Sequence, residues 1–145
     1  MPAEAEQVVA PTLYLVSCVG KKYGHAMPAK DLYASEWFLR ARRYVEARGG
    51  KWFILSAQFG LVAPEQHIEP YERTLNKMAI AERRAWAQLV QSQMDVALPT
   101  SGQCVMLAGR RYREFLMDYL NQRFATGVPM EGLAIGQQLR WLATH

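Results

Sequence analysis

The chain has 145 residues, half of them hydrophobic, and carries 17 Lys and Arg against 13 Asp and Glu, for a formal net charge of +4. This length and composition predict one domain, residues 1–145, with a hydrophobic core of its own. No apolar run is long enough for a membrane span, and the acidic N-terminus lacks the apolar region of a signal peptide. We therefore expect a cytoplasmic protein without a membrane partner. The mild positive charge is compatible with an anionic partner such as a nucleotide or a nucleic acid.

The two cysteines, Cys18 and Cys104, lie in apolar runs typical of strands, so we predict reduced core residues and not a disulfide framework. The sequence has no CxxC pair, no Cys/His cluster and no metal-binding pair among its three histidines, so we expect no metal and no cofactor. Cys18 precedes two lysines, a setting that favours a nucleophilic thiolate, but no Cys-His-Asn set is visible. A G-x-S-x-G elbow is also absent, which argues against an α/β-hydrolase.

The first predicted strand covers residues 13–19 and follows a loosely ordered lead-in, residues 1–11. Gly20, Lys21 and Lys22 come directly after it. A strand that ends in serine, glycine and two lysines suggests backbone amides and ammonium groups gathered around a phosphate. The spacing is not that of a Walker loop. The alternative interpretation is a solvated basic turn.

The next elements follow from helical spacing and from turn residues. An extended connector over residues 28–33 leads to Ser35, the predicted N-cap of a helix that runs through Arg48 and stops at Gly49. Apolar and polar patterns then predict the remaining elements. These are a buried strand (52–55), a polar loop (56–75), an amphipathic helix (79–98), a strand (103–108), a helix (113–124), a short fourth strand (127–130) and a closing helix (135–144).

The stretch over residues 52–75 concentrates polar chemistry after a buried strand. Pro64 and Pro70 exclude a long helix there, and the loop carries Gln58 and Tyr71 among other polar side chains. Open α/β sheets place their ligand sites at the carboxyl ends of such strands. The alternative is an ordinary surface loop.

The third strand, residues 103–108, repeats the plan of the first, because it ends in Gly109, Arg110 and Arg111. Right-handed βαβ crossovers bring the ends of successive parallel strands to one edge of the sheet. The two cation pairs and the polar loop are then expected at the same edge. We therefore predict an α/β fold with three layers: a mostly parallel sheet of about four strands with helices on both faces.

The residues expected at this edge suit a nucleotide or nucleic acid, since cations bind phosphate and an aromatic ring stacks on a base. Loss of a base from ribose passes through an oxocarbenium-like state that a carboxylate stabilises. The predicted catalytic residues are Glu69 and His67. The predicted substrate- or phosphate-binding residues are Ser17, Lys21, Lys22, Tyr33, Ser56, Gln58, Tyr71, Arg110 and Arg111. In the alternative interpretation Glu69 is only a counter-charge for the arginines.

Four motifs in order carry a resemblance to a known family. They are SCxxKK (17–22), PAxDLY (28–33), ILSAxxGL (54–61) and EPYxxTL (69–75). The chain resembles a family of small, largely uncharacterised domains from bacteria, archaea and phages. It more distantly resembles the peroxide-stress YaaA family, whose members are implicated in DNA binding under oxidative stress. The near resemblance is good over residues 13–75, but it implies no reaction. Val19 stands where such sequences often have a second serine, so the resemblance implies no role for a hydroxyl at that position. The distant one implies a nucleic-acid partner by analogy.

Three functional hypotheses follow. The leading one is an α/β enzyme that acts on a nucleotide, or on a base within nucleic acid, at an N-glycosidic bond. The second is a non-catalytic DNA- or RNA-binding protein of a stress-related or phage-related pathway, in which the same cations serve only affinity. The third is a subunit that works only inside a larger complex. The oligomeric state is left open.

Overall fold

The computed structural model describes residues 12–18 and 20–145. The predicted lead-in, residues 1–11, and Val19 lie outside the described residues. A 3-10 turn, Leu75–Lys77, precedes the longest of the described helices. The strands and helices are, in chain order, β1 (Thr12–Ser17), β2 (Met27–Pro28), α1 (Ala29–Leu32), α2 (Glu36–Arg48), β3 (Lys51–Ser56), β4 (Gly60–Val62), β5 (His67–Ile68), α3 (Ile80–Ala97), β6 (Gln103–Leu107), α4 (Arg110–Arg113), α5 (Met117–Asn121), β7 (Ala125–Gly127) and α6 (Ile135–Thr144).

The main sheet has five strands in the order β4-β3-β1-β6-β7. β1 pairs in parallel with both β3 and β6, and β6 pairs in parallel with β7. β4 runs antiparallel to β3 at one edge. Every residue of β1 and β3 after the first is buried, because helices cover both faces of the sheet. The predicted three-layer α/β fold with a mostly parallel sheet is confirmed, with five strands where about four were expected.

Helix α2 begins and ends where its cap residues predict. The Oγ of Ser35 accepts a hydrogen bond from the backbone amide of Phe38 over 3.2 Å. Gly49 ends the helix with a φ of 70°, a left-handed conformation that glycine adopts without strain. Phe38 packs on the sheet against Trp52, with ring centroids 6.4 Å apart, and α6 packs against α2. None of the described helices is both long enough and apolar enough to cross a membrane.

Several short elements lie where the sequence predicts loop or extended chain. α1 occupies most of the connector predicted as extended over residues 28–33, so that prediction is wrong. The backbone amides of Ala29 and Lys30 donate hydrogen bonds to the carbonyls of Gln66 and Pro64 over 2.8 and 3.0 Å. The predicted polar loop contains β4, which pairs with β3, and β5, which pairs with β2. Distant residues make these hydrogen bonds, so a local sequence pattern does not reveal them.

The helix predicted over residues 113–124 is instead the two short helices α4 and α5, and α4 already begins at Arg110. Tyr112, Leu116 and Leu120 are all buried and are spaced four residues apart. The apolar repeat continues across the break between α4 and α5, so the sequence pattern predicts one helix and gives no sign of the break. The fourth strand is also displaced, since β7 ends where the predicted strand begins.

The two crossover connections of the sheet lead to opposite sides of the central strand β1. From β1 the chain goes through α2 to β3 on one side, and then returns through α3 to β6 on the other side of β1. Right-handed crossovers in opposite directions place α2 and α3 on opposite faces. The crevice between the carboxyl ends of β1 and β6 is therefore the topological switch point, the usual place for a ligand in an open α/β sheet.

Candidate ligand-binding site

A cavity of about 1080 Å³ opens at this switch point. Three segments line it: the end of β1 with the turn that follows, the chain between Pro70 and Asn76, and the start of α4 from Gly109 to Tyr112. The parallel pairing of β1 with β6 brings the first and third segments side by side, although they are more than eighty residues apart in sequence. The cavity thus depends on the sheet and not on any one loop.

The turn after β1 is fixed against the segment that precedes α2. The amide of Tyr23 donates to the carbonyl of Leu32 over 2.9 Å, and the amide of Ala34 donates to the carbonyl of Lys21 over 2.8 Å. Gly20 has a φ of 75°, and a Cβ there would lie 2.9 Å from the Cβ of Ser35. A glycine is required at this position both for the backbone conformation and for the close approach.

Cations from all three segments lie around the cavity. Lys21 and Lys22 follow β1, Arg110 and Arg111 begin α4, and Arg73 lies between Pro70 and Asn76. Arg73 lies 3.8 Å from Glu82, and Arg111 lies 4.0 Å from Glu114. Within the part of the chain that the structure describes, Lys21, Lys22 and Arg110 have no acidic partner within 4.0 Å. The lip of the cavity therefore attracts an anion.

Lys22 is held at the cavity wall by aromatic rings. Its Nζ lies 4.4 Å from the ring centroid of Tyr71 and 5.6 Å from that of Tyr33. It also donates to the carbonyl of Gly20 over 3.5 Å. These cation–π contacts orient the ammonium without neutralising it, so its charge stays available to a ligand.

Behind this wall, three hydroxyl groups form a chain of hydrogen bonds. The Oη of Tyr71 lies 2.7 Å from the Oη of Tyr33 and accepts from the Oγ of Ser56 over 2.8 Å. The Oγ of Ser56 accepts in turn from the amides of Gln58 and Phe59. Burial raises the pKa of Tyr33 and of Tyr71 above the ordinary value, and the neighbouring Cys18 adds to the rise. Both phenols are therefore neutral at physiological pH.

The floor of the cavity combines Ser17, Cys18 and Tyr112. The Sγ of Cys18 lies 3.4 Å from the Oη of Tyr112. Burial raises the pKa of Tyr112, and the same cysteine adds to the rise. The ring of Tyr112 packs edge-on against Trp86, whose Nε1 donates to the carbonyl of Ser56 over 2.9 Å. This contact ties the floor to α3 and β3.

The structure brings together six of the nine predicted binding residues and leaves the others outside the lining. The six that line the cavity are Ser17, Lys21, Lys22, Tyr71, Arg110 and Arg111. Tyr33 and Ser56 are fully buried behind Tyr71. Gln58, His67 and Glu69 are exposed and do not line it. The ligand-binding role of Gln58 and the catalytic roles of His67 and Glu69 stay predictions.

Other lining residues were not among the predicted site residues. Tyr23 is half exposed and lines the cavity beside the two lysines that it follows in sequence. Glu72 and Arg73 also line it and come directly after Tyr71, within the EPYxxTL motif. In both cases the sequence offered one signal for a place in the site, which is that these residues directly follow a predicted site residue, Lys22 or Tyr71. Among the described residues, no group of three or more His, Cys, Asp or Glu side chains is placed to hold a metal ion.

One family model matches residues 13–144, which is nearly the whole chain. The chain belongs to the family of unknown function DUF6884. The match contains all three segments that line the cavity, so the site lies within the DUF6884 domain. The resemblance to an uncharacterised domain family is thereby confirmed, and the more distant resemblance to the YaaA family stays a prediction. No curated protein and no solved structure matches the chain significantly.

Proposed function

We propose that the cavity binds a nucleotide, either free or within a nucleic-acid strand, and that the protein acts on it at the N-glycosidic bond. The observation that carries the proposal is the set of three cations, Lys21, Lys22 and Arg110, on two sides of a cavity at the switch point, none with an acidic partner among the described residues. Phosphate groups are the ligands that such cations bind most strongly, and arginine binds them through two parallel hydrogen bonds.

Among the described aromatic residues of the lining, Tyr23 has the most exposed ring on which the base of the nucleotide could stack. Tyr23 is 52% exposed and lines the cavity. Tyr71 is less suitable, because Lys22 covers one face of its ring and Phe59 packs edge-on against it at 5.6 Å. Stacking of a base on an exposed tyrosine is favourable and tolerates different bases. We therefore assign base stacking to Tyr23.

The catalytic part of the proposal depends on a carboxylate. Glu72 is exposed and lines the cavity among the cations. A carboxylate beside the sugar would stabilise the oxocarbenium-like state in which the base leaves. Glu72 is thus better placed for this role than Glu69, which lies outside the lining.

Binding is tested by calorimetry with inorganic phosphate and with the four common ribonucleoside 5′-monophosphates. We expect Lys21→Ala and Arg110→Ala each to weaken binding by about tenfold, the effect of losing one charge-assisted contact. Arg43→Ala is the matched control, because Arg43 is exposed on α2 and makes no ion pair among the described residues. Equal binding by all these variants would contradict the phosphate site.

Catalysis is tested by chromatographic detection of free base released from nucleotides and from oligonucleotides. We expect Glu72→Gln to abolish release and to keep binding, and Glu69→Gln to release base as the wild type does. The reverse result would assign the chemistry to Glu69. Absence of release from every substrate, with oligonucleotide affinity that falls steeply with salt, would favour the non-catalytic alternative. In that case each cation removed should lower the salt slope by about one unit.

A further inference from the structure

The end of β1 carries a hydroxyl group that the fold does not use. Ser17 is fully buried and lines the cavity, and its Oγ has no hydrogen-bond partner in the part of the chain that the structure describes. Among the residues that the structure describes, Thr126 on β7 has the other such hydroxyl, and it does not line the cavity. A buried hydroxyl without a partner destabilises a fold, so its presence calls for an explanation, and a functional role is one such explanation.

The residues around the Ser17 hydroxyl indicate which part of a ligand it would contact. The cations Lys21 and Arg110 are exposed at the lip, whereas Ser17 lies on the buried floor. The other floor groups are the Cys18–Tyr112 pair, and burial keeps the phenol of that pair neutral. The cavity therefore has a positive lip above an uncharged floor that forms hydrogen bonds. A ligand that matches it carries its anionic group at the lip and an uncharged hydroxyl group at the floor.

We propose that the Oγ of Ser17 binds a ribose hydroxyl of a ribonucleoside 5′-phosphate whose phosphate lies at the cationic lip. An alcohol both donates and accepts, as the serine hydroxyl does, so a sugar hydroxyl satisfies it in either direction. The assignment rests on the proposed function and makes it narrower, because it names ribose and not dideoxyribose as the preferred sugar. A site built to bind a hydroxyl rejects analogues that lack it.

The test compares the tightest-binding of the four common ribonucleoside 5′-monophosphates with its 2′,3′-dideoxy analogue by calorimetry. We expect the wild type to bind the dideoxy analogue about five- to tenfold more weakly, the effect of one neutral hydrogen bond. Ser17→Ala should lose most of this discrimination while it still binds inorganic phosphate as the wild type does. Thr126→Val is the matched control and should discriminate as the wild type does, because its hydroxyl lies outside the cavity.

The stability of Ser17→Ala gives a second readout. Removal of an unpartnered hydroxyl should leave the melting temperature unchanged or raise it. A marked fall would overturn the assignment, because the hydroxyl would then be needed by the fold itself. Equal binding of the ribose and dideoxy compounds by the wild type would overturn it and leave the phosphate site standing. A wild type that binds neither compound nor phosphate would overturn the proposed function as well.

Discussion

Ser56 at the end of β3 donates a hydrogen bond of 2.8 Å to the phenol of Tyr71 in the cavity wall. The same serine oxygen accepts two backbone amides, and the same phenol oxygen lies 2.7 Å from that of Tyr33. One phenol thus connects the central sheet with the lining of the cavity. Both of its partners are fully buried, so no solvent replaces it when it is removed.

Replacement of that phenol should therefore cost stability. We expect Tyr71→Phe to lower the free energy of unfolding by about 1–3 kcal/mol, because two buried hydroxyls lose a shared partner. Urea unfolding measures the change. Tyr23→Phe is the matched control, since Tyr23 is exposed and its hydroxyl makes no hydrogen bond among the described residues. A loss for Tyr71→Phe no larger than that for the control would show that the hydroxyl chain does not stabilise the fold.

Stability should also fall at alkaline pH. Burial raises the pKa of Tyr33, Tyr71 and Tyr112 in the folded protein, and that of Cys104 to about 12. Unfolded tyrosines ionise near pH 10, so above about pH 10 the unfolded state binds fewer protons than the folded state. The stabilisation is fully present below the unfolded pKa and is lost as pH rises toward the folded value. The free energy of unfolding should fall by up to about 1.4 kcal/mol per pH unit for each of the three tyrosines.

Urea titrations across the alkaline range measure this slope, and phenolate absorbance follows the ionisation directly. We expect the phenols of Tyr33, Tyr71 and Tyr112 to ionise only as the protein unfolds. Cys104 alone adds a smaller decline in the free energy of unfolding. This decline begins at lower pH, because a thiol in the unfolded chain ionises at lower pH than a phenol does. Ionisation of all seven tyrosines near pH 10 in a protein that remains folded would contradict the prediction.

Gln93 on α3 should protect the edge of the sheet. Its Oε1 accepts from the amide of Leu61 over 2.7 Å, and its Nε2 donates to the carbonyl of Phe59 over 3.1 Å. The side chain thus pairs with the backbone of β4 as a neighbouring strand would. We expect Gln93→Ala to lower the free energy of unfolding by about 1–3 kcal/mol and to promote self-association through the freed edge.

Urea unfolding and sedimentation velocity test the two parts of this prediction. Gln88→Ala is the control, since Gln88 is exposed on the same helix and makes no hydrogen bond in the described part of the chain. Gly60→Ala should be destabilising too, because a Cβ there would overlap the Oε1 of Gln93 and the φ is 76°. If the Gln93→Ala protein stays monomeric and is as stable as the wild type, Gln93 does not protect the edge of the sheet.

The ion pair of the buried Arg83 with the partly exposed Glu114 should matter more than exposed ion pairs do. Arg83 is 8% exposed, and its guanidinium donates to Glu114 and to the carbonyl of Met78, each over 2.7 Å. Glu114→Ala leaves a buried charge without its partner, which should cost about 3 kcal/mol. Glu131→Ala removes the exposed partner of Arg113 and should cost less than about 1 kcal/mol. Urea unfolding measures both changes, and similar losses of unfolding free energy for Glu114→Ala and Glu131→Ala would contradict this prediction.

The central strands and the main helices were predictable because their signals are local. β1, β3 and β6 are apolar runs buried on both faces, and α2 has a serine before it and a glycine after it. β4 was not predictable, because it pairs with β3 across a tight turn and is held by Gln93, more than thirty residues further along. A three-residue strand leaves too little pattern in the sequence to be distinguished from a loop.

The cationic lip was predictable for the same reason that the sheet was. Parallel strands end at one edge, so the residues that follow β1 and β6 meet there. Which side chains of the polar loop face the cavity was not predictable. That choice depends on the backbone hydrogen bonds from α1 to Gln66 and Pro64 and on the pairing of β5 with β2. These contacts hold His67 away from the lining, whereas Tyr71, Glu72 and Arg73 reach it.

The cavity exists only when the two halves of the chain have come together, because its walls come from the end of β1, the start of α4 and the chain between Pro70 and Asn76. A compound that fills it binds the folded chain and not the unfolded one. Mass action then raises the melting temperature, by an amount equivalent to about 2.7 kcal/mol at a hundredfold excess over the dissociation constant. A thermal-shift survey of phosphate-bearing compounds therefore tests the proposed phosphate site before any reaction has to be assayed.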